Sequence, residues 1–223
     1  MIKPEKTNQG FTILEALVGM VVASILLAAI APVLIMSTAI RVESKRIEMA
    51  SQVARTFIDG VRLGSIAEPT IVSQLSATQN SPRNVATTPE DYLINTSEMP
   101  APASSGELYC ADKNGIINNT NCENNLFYIQ AGRIVQTTEK NDGYRLAIRV
   151  YRADIDFGQT IKINTGSETK QTASPITANI GDKQAPLIEI TTDIGNMNTN
   201  FYALCQRLGT PVNTSTTEPI SCK

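Results

Sequence analysis

Polar and apolar residues alternate along this chain in blocks of sharply different character. Met1 to Gly10 is polar, with Lys3 and Lys6 against Glu5. An apolar run starts at Phe11, and from Ala16 to Ile40 there are 25 consecutive residues without a charge. Coiled as an α-helix that run extends about 37 Å, against about 30 Å for the hydrocarbon core of a bilayer. It is long enough to cross a membrane with some tilt. A secretory signal peptide has a shorter apolar region, about 7–15 residues, that ends at a small-residue cleavage site. Here Arg41, Glu43, Lys45 and Arg46 follow instead and mark the return to water. The helical pattern does not stop there. Ile47, Ala50, Val53, Ala54, Phe57 and Val61 recur at helical spacing, while Lys45, Glu48, Arg55 and Arg62 fall largely on other faces. Gly60, Gly64 and Pro69 supply the stop signals. The pattern predicts one helix from Phe11 to Arg62, apolar in its first part and amphipathic in its second.

Ser76 to Gly106 reads as a connection, rich in Ser, Thr, Asn and Ala and interrupted by Pro82, Pro89, Pro100 and Pro102. Those prolines argue against a continuous helix or a central strand. Short helical turns are compatible with Ile71–Leu75 and Glu90–Ile94. Beyond Cys110 the pattern changes to strands. Leu126–Thr138 and Tyr144–Arg152 flank Asn141-Asp142-Gly143, a hairpin signal because these residues tolerate positive φ. On the second strand Tyr144, Leu146, Ile148 and Val150 share one face, and Arg145, Arg149 and Tyr151 the other. That alternation predicts one buried and one exposed side. Thr160–Asn164, Leu187–Asp193 and Phe201–Leu208 are further strand candidates. The fold class is α+β, a long N-terminal transmembrane and amphipathic helix packed on an antiparallel β-sheet.

Composition narrows the chemistry. The chain of 223 residues contains no histidine, so Ser-His-Asp and Cys-His catalysis and histidine-ligated metal sites are excluded. A net charge of −2 gives no reason to expect a nucleic-acid partner. Asp154 and Asp156, with Asp142 nearby, have the spacing of a paired-carboxylate or calcium site. They lack the glycine and glutamate of an EF-hand loop, and solvated loop acids explain them better. Arg145, Arg149 and Arg152 read as a solvated strand face rather than a binding row for an anionic polymer. We expect no catalytic residue, metal or cofactor. Cys110, Cys122, Cys205 and Cys222 form no CxxC pair, and their even number points to disulfides in an oxidising compartment. Three connectivities remain open. Nearest-neighbour pairing, Cys110 with Cys122 and Cys205 with Cys222, closes two short loops and is preferred.

Glu15 is the residue that a plain membrane anchor does not explain. A carboxylate inside a membrane helix costs about 2.5–3.5 kcal/mol even on lenient insertion scales. Gly10-Phe11-Thr12-Ile13-Leu14-Glu15, behind a short basic leader and before a long apolar run, resembles the prepilin signature of type IV pilins and type II secretion pseudopilins. The resemblance covers roughly the first 62 residues. It implies cleavage by a prepilin peptidase between Gly10 and Phe11, and N-methylation of Phe11. It divides the chain into a cytoplasmic leader 1–10, a transmembrane helix 11–40, its amphipathic continuation 41–62 and an extracytoplasmic domain 63–223. Glu15 would pair with the Phe11 amine of a neighbouring subunit. Pro32 stands where similar proteins often carry a proline that lets the helix loosen during assembly, although 20–31 lacks the glycine many major pilins have there. The implied partners are the peptidase, other pilin or pseudopilin subunits, an inner-membrane assembly platform and, before assembly, membrane lipid.

The expected function is that of a structural subunit, a minor pilin or pseudopilin extracted from the inner membrane into a periplasmic or cell-surface filament. The stretch from Pro32 to Arg62 is similar to cyanobacterial pseudopilins of hormogonium polysaccharide secretion and gliding. The alternative, from a different class, is a signal-anchored extracytoplasmic enzyme or binding module that never assembles. A peptidase that closes on the backbone at Gly10 has no room for a side chain. Gly10→Val should therefore block maturation, leaving a protein whose mass still includes Met1. Parent-like processing of that variant would contradict the assigned cut site.

Overall fold

The apolar and amphipathic blocks join into a single helix, α1, spanning Ile13–Arg62. The computed structural model describes residues 12–74, 99–118, 122, 124–135, 142–163, 182–195 and 198–208. Fifty helical residues extend about 75 Å at 1.5 Å per residue. Thr12 caps the start, its backbone extended and its hydroxyl accepting from the Glu15 N–H at 3.3 Å. The far end closes as a Schellman motif. Gly64 takes φ +71°, its N–H donates to the Val61 carbonyl, and the Ser65 N–H donates back to the Gly60 carbonyl at 2.9 Å. Gly60 has a different task inside the last turns. A Cβ there would meet the Ile66 side chain at 2.5 Å, so its bareness lets the exiting chain fold back over the helix.

Six strands form one sheet: β1 Ile71–Gln74, β2 Tyr109–Ala111, β3 Ile117–Asn118, β4 Phe127–Val135, β5 Tyr144–Arg152 and β6 Ile188–Ile194. The main order is β3-β2-β4-β5-β6. β4 and β5 pair antiparallel from Phe127 opposite Arg152 to Ile134 opposite Arg145. The other edge of β4 is shared by β2, antiparallel at Phe127–Ile129, and by β1, which is the one parallel pairing among the described residues. The expected hairpin is present, with Gly143 at φ +71°; Asn141 lies outside the described residues. A short helix α2, Phe201–Leu208, follows the sheet.

The inner face of the amphipathic half of α1 packs on the sheet, as the periodicity requires. Ala50, Val53, Ala54, Phe57 and Val61 form one buried cluster with Phe127, Ile129, Leu146, Ile148 and Val150. Phe57 meets Tyr109 edge-to-face with ring centroids 4.9 Å apart. This is the pilin-like α+β arrangement, a long helix whose lower half stands free and whose upper half is the spine of a small domain.

Several expectations need correction. The second face of β5 is not exposed: Arg145 is 4% exposed, and Arg149 and Tyr151 are 0% exposed. Chain segments cross that face and cover it. Met99, Ile134 and Ala147 cluster there with Val72, and Tyr151, Ile155, Ile161 and Ile163 cluster with Tyr128 and Phe157. Phe201–Leu208 is helical rather than extended. Phe201, Leu204, Cys205 and Leu208 follow the 3.6-residue period, and the Asn200 side chain caps the start by accepting from the Ala203 N–H at 2.7 Å. Ile71–Gln74 is a strand, not a helical turn. Residues 160–163 form no strand, although the Lys162 N–H donates to the Gln184 carbonyl and Ile161 and Ile163 are buried. Asn164, Glu90–Ile94 and most of the Ser76–Gly106 connection lie outside the described residues; its end carries a 3-10 turn at Ser105–Glu107.

Cys110 and Cys122 form a disulfide with Cα atoms 5.5 Å apart. It ties β2 to the chain beyond β3, at the edge of the sheet where β3 is two residues long. Cys205 is also disulfide-bonded; Cys222 and its pairing lie outside the described residues. Replacing Cys110 and Cys122 together by serine should lower stability by about 3 kcal/mol, since a loop of this length constrains the unfolded chain by that much. Urea unfolding of the detergent-solubilised chain checks this, and an unmoved midpoint would contradict it.

Candidate functional site

The functional residues singled out by the sequence are strung along α1 rather than gathered in a cleft. Gly10 and Phe11 lie outside the described residues, immediately before the cap at Thr12. Glu15 sits in the first helical turn, and Pro32 stands inside α1, which continues through it. Glu15 and Pro32 are about 25 Å apart along the axis. None of the residues from Ile13 to Ile40 is buried. Among the described residues α1 is the one helix long and apolar enough to cross a membrane. An apolar surface of this extent must lie against lipid or against other apolar helices.

Two hydroxyls within that surface are handled locally, and one carboxylate is not. The Ser24 hydroxyl donates to the Met20 carbonyl at 2.7 Å, and the Thr38 hydroxyl to the Ile35 carbonyl at 2.8 Å. Neither brings an unsatisfied donor to lipid. Glu15 is the exception, since no ion pair among the described residues reaches its carboxylate. The positive end of the helix dipole favours an acid there but does not neutralise it. The arrangement calls for a cation from outside the helix.

Above the apolar segment, the junction of α1 with the sheet buries Glu43, which was expected with Arg41, Lys45 and Arg46 to mark the return to water. Glu43 is 2% exposed. Its Oε2 accepts from Arg46 Nη1 at 3.4 Å, and its Oε1 has no partner. The available signal was positional: Glu43 stands four residues before Ile47 and seven before Ala50, on the stripe that faces the sheet. Beside it, Arg46 and Met49 of α1 and Leu126, Phe127 and Arg152–Asp154 line a groove of about 250 Å³. Arg152 holds Asp154 bidentately at 2.8 and 2.7 Å. Burial pushes the Asp154 carboxyl up, but the Arg152 hydrogen bonds and charge outweigh it and hold it below the usual range. Asp156 spends its carboxylate on the Gly158 N–H and the Gln159 amide, both at 2.9 Å. The two aspartates fix their own loop and do not converge. Among the described residues no group of three or more His, Cys, Asp or Glu side chains is placed to hold a metal.

The covered second face of the sheet carries a charge network. Arg149 Nε donates to Glu189 at 3.0 Å, Nη1 donates to the Met99 carbonyl, and Nη2 has no partner. The Tyr151 hydroxyl donates to Gln130 at 3.2 Å, and burial pushes its pKa well above that of a free tyrosine. Arg145 faces Asp193 at 3.8 Å. Opposed arginines and acids on neighbouring strands allow this face to be buried, and they leave no open cationic row for an anionic polymer. The network braces β5 against β6.

Residues 6–31 match the family model of the prokaryotic N-terminal methylation motif. No curated protein and no solved structure matches the chain. The match spans the junction around Gly10, the acid at Glu15 and the first two-thirds of the apolar run, and it ends one residue before Pro32.

The buried ion pair generates a quantitative expectation. Glu189→Ala leaves Arg149 uncompensated and should cost about 3–5 kcal/mol, while the double change Arg149→Met with Glu189→Leu should recover most of that loss. Chemical denaturation of the three proteins measures both. Equal destabilisation by the single and the double change would show that the pair is not what supports this face.

Proposed function

We propose, from the pilin-type methylation motif at residues 6–31, that this chain is a processed structural subunit of a type IV pilus-like or pseudopilus filament. The motif implies processing by a prepilin peptidase and assembly with other pilin subunits, and the apolar helix fits a single-pass membrane-anchored pilin. In this reading the leader 1–10 is removed after Gly10, and Phe11 becomes an N-methylated terminus. Residues 11–40 hold the subunit in the inner membrane, 41–62 continue the helix, and 63–223 form the extracytoplasmic domain, in periplasmic or cell-surface filaments. The system served is polysaccharide secretion and gliding, on the similarity of the Pro32–Arg62 stretch to pseudopilins of that kind. The subunit acts by packing rather than by catalysis.

The observation that carries the reading is the carboxylate of Glu15 in the first turn of α1, at the start of an apolar stretch none of whose residues to Ile40 is buried. Cleavage creates an ammonium group at Phe11, inside the same layer and one helical turn away. Within one subunit the dipole supports the acid. Between parallel subunits the Phe11 amine of one meets the Glu15 carboxylate of the next, and removing one partner of such a pair costs about 3–5 kcal/mol. The pair therefore sets axial register.

Glu15→Leu separates this from the signal-anchored alternative. Membrane insertion should become easier, since the cost of the carboxylate disappears. Cleavage after Gly10 should persist. Recovery in sheared filaments should nevertheless fall by at least about tenfold, because the neighbour's amine is left unpaired in an apolar layer. Filament incorporation equal to the parent at equal membrane abundance would rule out the proposed pairing.

A further inference from the structure

The groove of about 250 Å³ beside Glu43 stands where the domain meets the membrane. Arg46 is six residues beyond Ile40, the end of the uncharged run, or about 9 Å along the helix axis. A bilayer is about 40–45 Å thick with its headgroups and about 30 Å without them, which leaves a headgroup layer about 5–8 Å deep on each side. Helical side chains lean toward the N-terminus, so Lys45 and Arg46 reach from their turn down into that layer. The apolar part of the groove is open as well. Met49 and Leu126 on its lining are exposed, and so is Val42 one turn below Arg46.

The charges at this level do not close on themselves. Arg152 and Asp154 hold each other on the groove wall. Arg46 gives one N–H to the buried Glu43 at 3.4 Å, and among the described residues no other hydrogen bond or ion pair reaches its guanidinium. Lys45 is exposed one turn below Met49, with no partner among the described residues. Glu48 is two residues beyond Arg46 and so on the opposite side of the helix. Arg41, Lys45 and Arg46 also lie within six residues of the apolar run, on the side that the reading above places outside the cytoplasm. Basic residues are ordinarily depleted there, so three of them call for an anion at that level.

We propose that this groove seats the headgroup of an anionic phospholipid from the adjoining leaflet while the subunit resides in the membrane. The phosphate lies on Arg46 and Lys45, and the glycerol and first methylenes pack on Val42, Met49 and Leu126. Glu43 is a positioning residue: it holds Arg46 from behind and competes with the phosphate for the guanidinium. The apolar helix and this one headgroup together fix which side of the domain faces the leaflet. The inference rests on the reading that residues 11–40 span the inner membrane.

The test uses the full chain in an uncharged maltoside detergent. The chain has no tryptophan, so Met49→Trp places a single fluorescent reporter in the groove. Titration with monomeric dihexanoylphosphatidylglycerol should give a saturable change in its emission. Dihexanoylglycerol, which lacks the phosphate, should not reproduce that change, and inorganic phosphate at the same concentration should not displace the lipid. In this background Glu43→Gln should tighten binding by about threefold, because Arg46 is released to the phosphate. Glu43→Gln combined with Arg46→Gln strands no buried charge and should weaken binding by at least about tenfold. Lys45→Gln, at an exposed position, should weaken it by about threefold. A purely structural pair would give the opposite pattern, with the single and the double change alike. A signal that never saturates, displacement by inorganic phosphate, or equal affinity in the parent and the double variant would overturn the proposal. Carbonate washing of native membranes checks the underlying reading separately: release of the parent chain into the soluble fraction would remove the membrane span, and this site with it.

Discussion

A carboxylate in the first turn of an apolar membrane helix is the constraint on which the rest depends. Glu15 costs energy wherever lipid surrounds it, and nothing among the described residues neutralises it. In the proposed reading, a cation delivered in the same layer by another subunit removes that cost. The residue is a burden to a solitary anchor and an instruction to an assembling one. The hydroxyls of Ser24 and Thr38 are satisfied within the helix, whereas the Glu15 carboxylate meets no ion pair among the described residues.

The upper half of α1 has the opposite task, since it must not move relative to its own domain. Phe57 and its neighbours fix it to β4 and β5, the Schellman turn at Gly64 ends it sharply, and the bare Gly60 allows Ile66 to pack back on it. The far side of the sheet is also closed, by Met99, Tyr151 and the isoleucines around Ile161, with Arg149 and Glu189 paired between them. The disulfide of Cys110 with Cys122 secures the short strands at the other edge. In the proposed reading, a register set near Glu15 reaches the domain through this continuous helix.

The helix, its length, its two faces and its stop were legible from period and composition, because long periodic segments leave few alternatives. The β4–β5 hairpin was legible from Asn141-Asp142-Gly143 and the alternation on Tyr144–Arg152. The second face of β5 was not. Alternating Arg and apolar residues look like a half-buried strand, and only the fold reveals that distant segments cross the polar side and that Glu189 and Asp193 stand opposite the arginines. Glu43 was hidden for a similar reason, since an acid at the membrane boundary reads as solvated until the sheet is placed over it. The period of Phe201–Leu208 was available, with Asn200 as a cap. At the functional end the motif read around Gly10, Phe11 and Glu15 falls within the matched residues 6–31, and its chemistry is local to the sequence.

The claim that organises this account is that an ammonium group at Phe11 exists to meet Glu15. Intact-mass analysis of the native protein recovered from filaments tests it most directly. The account predicts a chain that begins at Phe11 and carries one added methyl group on its terminal nitrogen. A filament-borne chain that still begins at Met1, or one blocked at its terminus by a neutral acyl group, would contradict it, because no cation would then be present in the layer of Glu15.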